Sequence, residues 1–233
     1  MIVVLCAMKE ERNALLKLMK DVKAIKNKKV RVLDTELNNT FFTGKINDKE
    51  VVVSKTGIGE VYATIATVLA IQKFKPELII NLGCAGSLNE NVRVNDVVVA
   101  ERVAEWRFDA LDWPRGFDSK YTSFSCDQKV IKIMKKLKLD AKVHYGDIVS
   151  ANEFIYKKSQ LNELKKHYPE ALCGEMEGSA IANTCFALGV NCSIIRSISD
   201  ETLVAKNYHQ YYFNLEQVCN TAADIAAQII RKY

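Results

Sequence analysis

Four carboxylates stand where a ligand could be met. In the stretch from Cys173 to Asp200, Glu175 and Glu177 flank Met176 just before a helical run of small and apolar residues, Gly178 to Leu188. Carboxylates at the start of a helix are stabilised by its positive end, which predicts that both stay ionised. Gly189 ends that helix, and Val190 to Ile198 is an apolar, β-branched strand that closes on Ser199-Asp200. An acid at the end of a buried strand is costly unless it faces a ligand or has partners. Near the start of the chain, Ile2 to Ala7 is a continuous apolar run of the kind covered on both faces of a sheet. Met8-Lys9-Glu10-Glu11 then leads into Leu15, Leu16 and Met19 at helical spacing. Glu11 thus repeats the placement of Glu177, in the first turn of a helix just past a buried strand. Ligands of open α/β sheets sit at the carboxyl ends of strands. Glu11, Glu175, Glu177 and Asp200 are therefore expected to converge on one crevice, where carboxylates can stabilise positive charge in a ligand. Taken singly, Glu177 also reads as an ordinary helix-start carboxylate and Asp200 as an N-cap. The repeated placement favours a site.

The remaining elements supply the frame. Val30 to Leu33, Thr40 to Thr43 and Val51 to Ser54 are short segments divided by Asn38-Asn39 and Asn47-Asp48, the pattern of antiparallel strands joined by turns. Thr56-Gly57-Ile58-Gly59 follows, then Glu60 to Phe74 in helical period. Glycines between a strand and a helix let backbone approach a ligand closely. Tyr62 stands where the dinucleotide fingerprint needs a third glycine, which argues against a nicotinamide cofactor. Leu78 to Leu82 is a buried strand ending in Gly83-Cys84-Ala85-Gly86, read as close packing against a ligand or as a tight turn. Asp96 to Val103 is a strand entering an aromatic stretch with Trp106, Phe108, Trp113, Pro114 and Phe117, the composition of a ligand lid or a subunit contact. Asp127 to Leu137 predicts an amphipathic helix, Lys142 to Ser150 a strand, Ser159 to His167 a short helix, and Asn214 to Arg231 a final helix capped by Asn214. Alternating strands and helices predict one α/β domain over residues 1–233, with three layers and a mixed, mostly parallel central sheet flanked by helices.

Composition excludes several classes. The apolar fraction of 48% and charged fraction of 26% are those of an ordinary globular protein. The net charge of +5 is mild and falls in short lysine runs, such as Lys26 to Lys29, rather than along one stripe, so a solvated surface is favoured over nucleic-acid binding. Seven cysteines without zinc-type spacing read as reduced thiols in a cytoplasmic protein. The apolar start is too short for a signal peptide or a membrane span. His144, His167 and His209 lack second ligands at metal spacing, so no metal is expected.

Taken together, Ala7-Met8-Lys9-Glu10-Glu11, Gly57-Ile58-Gly59, Asn81 to Gly86, Phe154-Ile155, Glu175-Met176-Glu177 and Ser199-Asp200 resemble the 5′-methylthioadenosine/S-adenosylhomocysteine nucleosidase family of the nucleoside phosphorylase superfamily. The resemblance keeps the family's order over nearly the whole chain. It implies hydrolysis of the N-glycosidic bond of a 5′-thio-substituted adenine nucleoside, through an oxocarbenium-like ribosyl cation that carboxylates stabilise. It makes Asp200 the general acid at adenine N7, with a raised pKa, and Glu11 the base that activates water. Glu177 would bind ribose hydroxyls and Met176 would pack below the sugar. Arg196 and Glu175 would orient Glu11 and the water. Phe154 would stack on adenine while the Ile155 backbone reads its edge, and Phe213 would cover the 5′ substituent. Met8, Ile58, Cys84, Ala85, Gly86 and Ser199 complete the implied substrate contacts. No cofactor is implied, and the expected partners are a small adenine nucleoside and a second copy of the chain in a homodimer.

The sequence departs from the family's pattern at Cys84, usually serine, at Asn152, usually aspartate, and across 104–117, where the usual Tyr-His-Asp-Ala-Asp pattern is absent. That leaves methylthioadenosine, adenosylhomocysteine, deoxyadenosine and aminofutalosine all open as substrates. Two other readings stand beside hydrolysis. One is a phosphate-dependent purine nucleoside phosphorylase, disfavoured because the charge of Glu11 would repel phosphate. The other is a nucleoside-binding protein that has lost catalysis, disfavoured by the presence of Glu11, Glu177 and Asp200 together.

Overall fold

The apolar runs fold into buried strands because a β-branched side chain packs well on a pleated surface and a run without polar residues needs cover on both faces. The computed structural model describes residues 1–26, 40–106, 123–202, 204 and 207–233. Strand β1 (Ile2–Cys6) is buried along its whole length. It pairs in parallel with β4 (Lys49–Lys55) on one side and β5 (Leu78–Ser87) on the other. Strand β5 continues in parallel to β10 (Asn191–Glu201), which runs antiparallel to β6 (Val97–Glu105). Next to β6 lies β8 (Val143–Ser150), then β9 (Cys173–Glu175), and β9 returns to β5. The strands β5, β10, β6, β8 and β9 therefore form a closed ring. The other side of β1 is an antiparallel extension, β4 to β3 (Thr40–Ile46) to β2 (Lys20–Lys26), and β7 (Ser123–Ser125) adds to β6.

Alternation along β1 assigns the layers, since successive side chains point to opposite faces. Ile2, Val4 and Cys6 pack with Ala14 and Leu15 of α1 (Lys9–Leu16), Val130 and Met134 of α3 (Gln128–Met134), and Ala222 and Ile225 of α6 (Asn207–Lys232). Val3 and Leu5 pack with Ala63 and Ala70 of α2 (Glu60–Phe74) and with Ile181 and Cys185 of α5 (Gly178–Ala187). A smaller cluster beneath α4 (Lys158–His167) includes Leu88, Trp106, Val149 and Leu164. The result is the mixed, three-layer α/β fold expected from the sequence. No helix among the described residues is long and apolar enough to cross a membrane.

Five elements differ from expectation, among them the short β7, for which the sequence assigned nothing. Strand β2 falls where the sequence assigned no element; it is rich in lysine and mostly exposed, the usual protection of an edge strand. Strand β5 runs straight through Gly83-Cys84-Ala85-Gly86, so these residues are strand rather than turn. The three-residue β9 carries no periodic signal. Helix α6 starts at Asn207, seven positions before the expected Asn214 cap. The expected strand at 30–33, its turn at 38–39, and Phe108, Trp113, Pro114 and Phe117 lie outside the described residues. Trp106, at the edge of that aromatic stretch, is buried.

Candidate active site

At the carboxyl ends of β1, β5, β9 and β10 lies a cavity of about 380 Å³ with acids at two ends. Glu11 is the third residue of α1, and its Oε2 accepts the Met8 N–H at 3.0 Å, so it caps its own helix. Its Oε1 accepts the Cys84 N–H at 3.1 Å and the Cys84 S–H at 3.6 Å. This approach needs a bare backbone: a Cβ on Gly83 would lie 2.7 Å from Glu11 Oε1. Burial raises the pKa of Glu11, against the opposing pull of the Met8 N–H, Arg196 and Cys84.

Glu175 ends β9 and is the hub of this end. It accepts the N–H of Glu177 at 3.0 Å and of Gly178 at 2.8 Å, the hydroxyl of Ser150, and the guanidinium of Arg196. Arg196 is 1% exposed and lies behind Glu175, where it also binds the Asn81 side chain and the Asn81 carbonyl at 3.2 Å. Burial works against its charge, but Glu175, Glu177 and Glu11 outweigh that cost and hold the guanidinium protonated. Arg196 is thus outside the cavity lining, and among the described residues it makes no hydrogen bond to Glu11; it reaches Glu11 through its charge.

Glu177 is the N-cap of α5 and accepts the Gly59 N–H at 2.7 Å, tying the start of α5 to the loop before α2. The expectation that the helix start keeps it ionised fails. Burial first, and the nearby charge of Glu175 second, push its pKa up to about 8. Desolvation of a carboxyl exceeds what a helix end returns.

The opposite end holds Asp200. It lies within β10 rather than at a helix N-cap, and a bulge between Ile198 and Asp200 breaks the strand's alternation where Ser199 and Asp200 sit. Its Oδ1 accepts the Ser199 hydroxyl at 2.7 Å and its Oδ2 accepts Asn207 Nδ2 at 2.6 Å. A Cβ on Gly86 would lie 3.0 Å from Oδ2. Burial raises the pKa of Asp200, and the bonds from Ser199 and Asn207 moderate the rise. No cation pairs with it among the described residues.

Met8, Ile58, Cys84, Ala85, Gly86, Phe154, Ile155, Met176 and Ser199 line the cavity beside Glu11, Glu175, Glu177 and Asp200. Phe213 does not: it is 90% exposed on α6. Because α6 starts at Asn207, Tyr208, Tyr211 and Tyr212 share one helix face toward the cavity and Phe213 is turned away. Tyr211 donates its hydroxyl to Met8 Sδ at 3.0 Å and meets Phe154 edge to face, with ring centres 6.0 Å apart. Tyr211 and Tyr212 lie three and four positions after Tyr208, the helical spacing that is the sequence signal that could have found them. Ser150, Asn81 and Asn207 carry none. No group of three or more His, Cys, Asp or Glu among the described residues could hold a metal ion.

An acid with neutral partners at one end and a carboxylate cluster around one arginine at the other suit cleavage of a bond that leaves a cation in between. The sequence pattern of the phosphorylase superfamily matches residues 1–233. A 5′-methylthioadenosine/S-adenosylhomocysteine nucleosidase of Staphylococcus aureus is 37% identical over 191 residues, covering 77% of this chain and 82% of its own. The nucleosidase of that name from Neisseria meningitidis, solved with methylthio-immucillin-A, superposes with a TM-score of 0.86 at 28% identity over 100% of this chain and 99% of its own. Futalosine hydrolase of Helicobacter pylori strain 26695 superposes with a TM-score of 0.87 at 26% identity, over 100% of this chain and 97% of its own.

Proposed function

The chain belongs to the 5′-methylthioadenosine/S-adenosylhomocysteine nucleosidase family of the phosphorylase superfamily, and from that premise we propose that it hydrolyses the N-glycosidic bond of 5′-thio-substituted adenine nucleosides and releases adenine. The observation that carries this reading is the pairing of a buried acid with no cationic partner among the described residues, Asp200, with a carboxyl cluster across a cavity of about 380 Å³.

In this reading Asp200 gives its proton to adenine N7 as the carbon–nitrogen bond breaks. The bonding electrons leave with adenine, and the sugar becomes cationic. Glu177 binds the ribose hydroxyls, and the growing positive charge beside it draws its carboxyl toward the ionised form. Glu11 takes a proton from the water that attacks the sugar carbon. The raised pKa of Glu11 makes it a better acceptor for that proton. Glu175 and Arg196 hold the cluster in place, Phe154 stacks on the base, and the Ile155 backbone reads its edge. Met8, Ile58 and Tyr211 line the 5′ side, where the thioether would rest; Tyr211 takes the part the sequence suggested for Phe213.

The test is adenine release from methylthioadenosine, in phosphate-free buffer and again with phosphate. Release at the same rate in both supports hydrolysis; release only with phosphate would make the protein a phosphorylase. Running adenosylhomocysteine, deoxyadenosine and aminofutalosine in parallel ranks the 5′ groups.

The reading extends to assembly and location. Val61 and Ile65 of α2 and Phe186 and Leu188 at the end of α5 are exposed on one face, beside a groove of about 1030 Å³ that Trp106 and Phe124 also line. Such a face suits a second copy in a homodimer, and sedimentation that finds only monomer at micromolar concentration would overturn this. All seven cysteines are free thiols, which fits the reducing cytoplasm; recovery of the protein from an oxidising compartment would argue otherwise.

A further inference from the structure

Behind Asp200, a buried side chain that the chemistry above leaves unused touches two residues of the cavity wall. Asn207, the first residue of α6, is 0% exposed. Its Nδ2 donates to two groups at once, Asp200 Oδ2 at 2.6 Å and the Ile155 carbonyl at 3.2 Å, both belonging to cavity-lining residues. Both partners are acceptors, which fixes the carboxamide with its amino group toward them. Its Oδ1 is buried and has no hydrogen-bond partner among the described residues. A buried carbonyl oxygen left unpaired costs about 1–3 kcal/mol. A side chain serving only as a tether would be expected to match both ends of its amide; here only the amino end is matched.

Two acceptors converging on one planar NH₂ group define a subsite for a primary amine on an unsaturated carbon. A carboxamide and an aminopurine present the same donor pair. We propose that the Asn207 carboxamide is a resident stand-in for the exocyclic amino group of the substrate's base. The inference rests on the adenine reading, in which Asp200 and the Ile155 backbone address the base. In the free protein the stand-in satisfies two acceptors that would otherwise be buried unpaired. When the base arrives, its amino group takes over both acceptors and Asn207 withdraws with the first turn of α6. A base with an oxo group at that position would set lone pairs against two acceptors and could not replace Asn207. A base with no substituent there has no need to displace it.

An internal competitor lowers the apparent affinity of its rival by the fraction of time it occupies the subsite. The test is calorimetric titration of adenine and of unsubstituted purine into wild-type protein, Asn207→Ala and Asn207→Ser. Serine is too short to bridge both acceptors, and cooperative melting establishes that each variant is folded. Adenine should bind on the order of 3- to 30-fold tighter to both variants, while purine affinity stays within about 2-fold. Unchanged or weaker adenine binding by the folded variants would overturn the proposal and leave Asn207 as a positioning residue for Asp200. Equal gains for both ligands would also overturn it, because the cavity would merely have loosened. Wild-type protein that binds neither ligand would remove the adenine reading itself and the stand-in with it, an outcome set apart by the wild-type titration alone.

Discussion

The two ends of the cavity solve the problem of a buried acid in opposite ways. At the end that the nucleosidase reading gives to the sugar, Glu11, Glu175 and Glu177 cluster near one buried arginine, which bonds Glu175, and backbone N–H groups from Met8, Gly59, Cys84 and Gly178 share the load. At the end that reading gives to the base, Asp200 meets a hydroxyl and an amide and, among the described residues, no cation. Buried charge is tolerated when paired, and an unpaired carboxyl keeps its proton instead. In the nucleosidase reading, one end gathers acids near a counter-charge to meet a developing cation, and the other keeps its acid among neutral partners, which suits proton transfer. The difference lies in what surrounds each acid, since all four are ordinary carboxyl side chains.

Three variants would break or sharpen that contrast. The largest effect is expected from Asp200→Asn, which leaves the base end without a transferable proton. Single-turnover adenine release should fall by about 10²–10⁴-fold, the range for loss of a general acid, while adenine still binds. Near-normal release would move the acid elsewhere. Next is Arg196→Met at the sugar end, which strands Glu175 without its counter-charge. Urea denaturation should show a loss of about 3–5 kcal/mol, the cost of breaking a buried pair from one side. A loss below about 1 kcal/mol would mean that the backbone donors alone carry the cluster. The smallest is Glu177→Gln. Folded Glu177 holds its proton up to about pH 8, against an ordinary value of 4.5. With the folded pKa above the unfolded one, the stability it contributes is present in full below the unfolded value and is lost as pH rises through the folded one. The wild-type melting temperature should therefore drop relative to the variant between about pH 5 and about pH 8. Parallel curves would show Glu177 ionised throughout.

The contrast was half legible in the sequence. Apolar runs ending in acids located Glu11 and Asp200, because a buried strand leaves a strong periodic trace, and the helical run that follows Glu177 located that residue. The protonation of Glu177 was not legible: a helix start argues for charge, and only the folded structure reveals how deeply the carboxyl is buried. Strand β2 was hidden by its lysines. The start of α6 was hidden because Asn207 to Tyr212 holds no aliphatic residue, and that single boundary moved the aromatic contact from Phe213 to Tyr211. Ser150, Asn81 and Asn207 meet their partners from distant elements, so local pattern could not reveal them.

Glu11 and Asp200 lean on one strand, β5, at Gly83 and Gly86, where a Cβ would press on the carboxylates at 2.7 and 3.0 Å. At those two positions bare main chain meets the acids, while Cys84 and Ala85 between them turn side chains to the cavity. Its walls are side chains on the loop before α2 and on α6, Ile58, Tyr208, Tyr211 and Tyr212 among them. A lineage carrying this strand is free to drift in the tail of the molecule it accepts while the base and sugar stay fixed. Diversity among its descendants should accumulate at one edge of the ligand only.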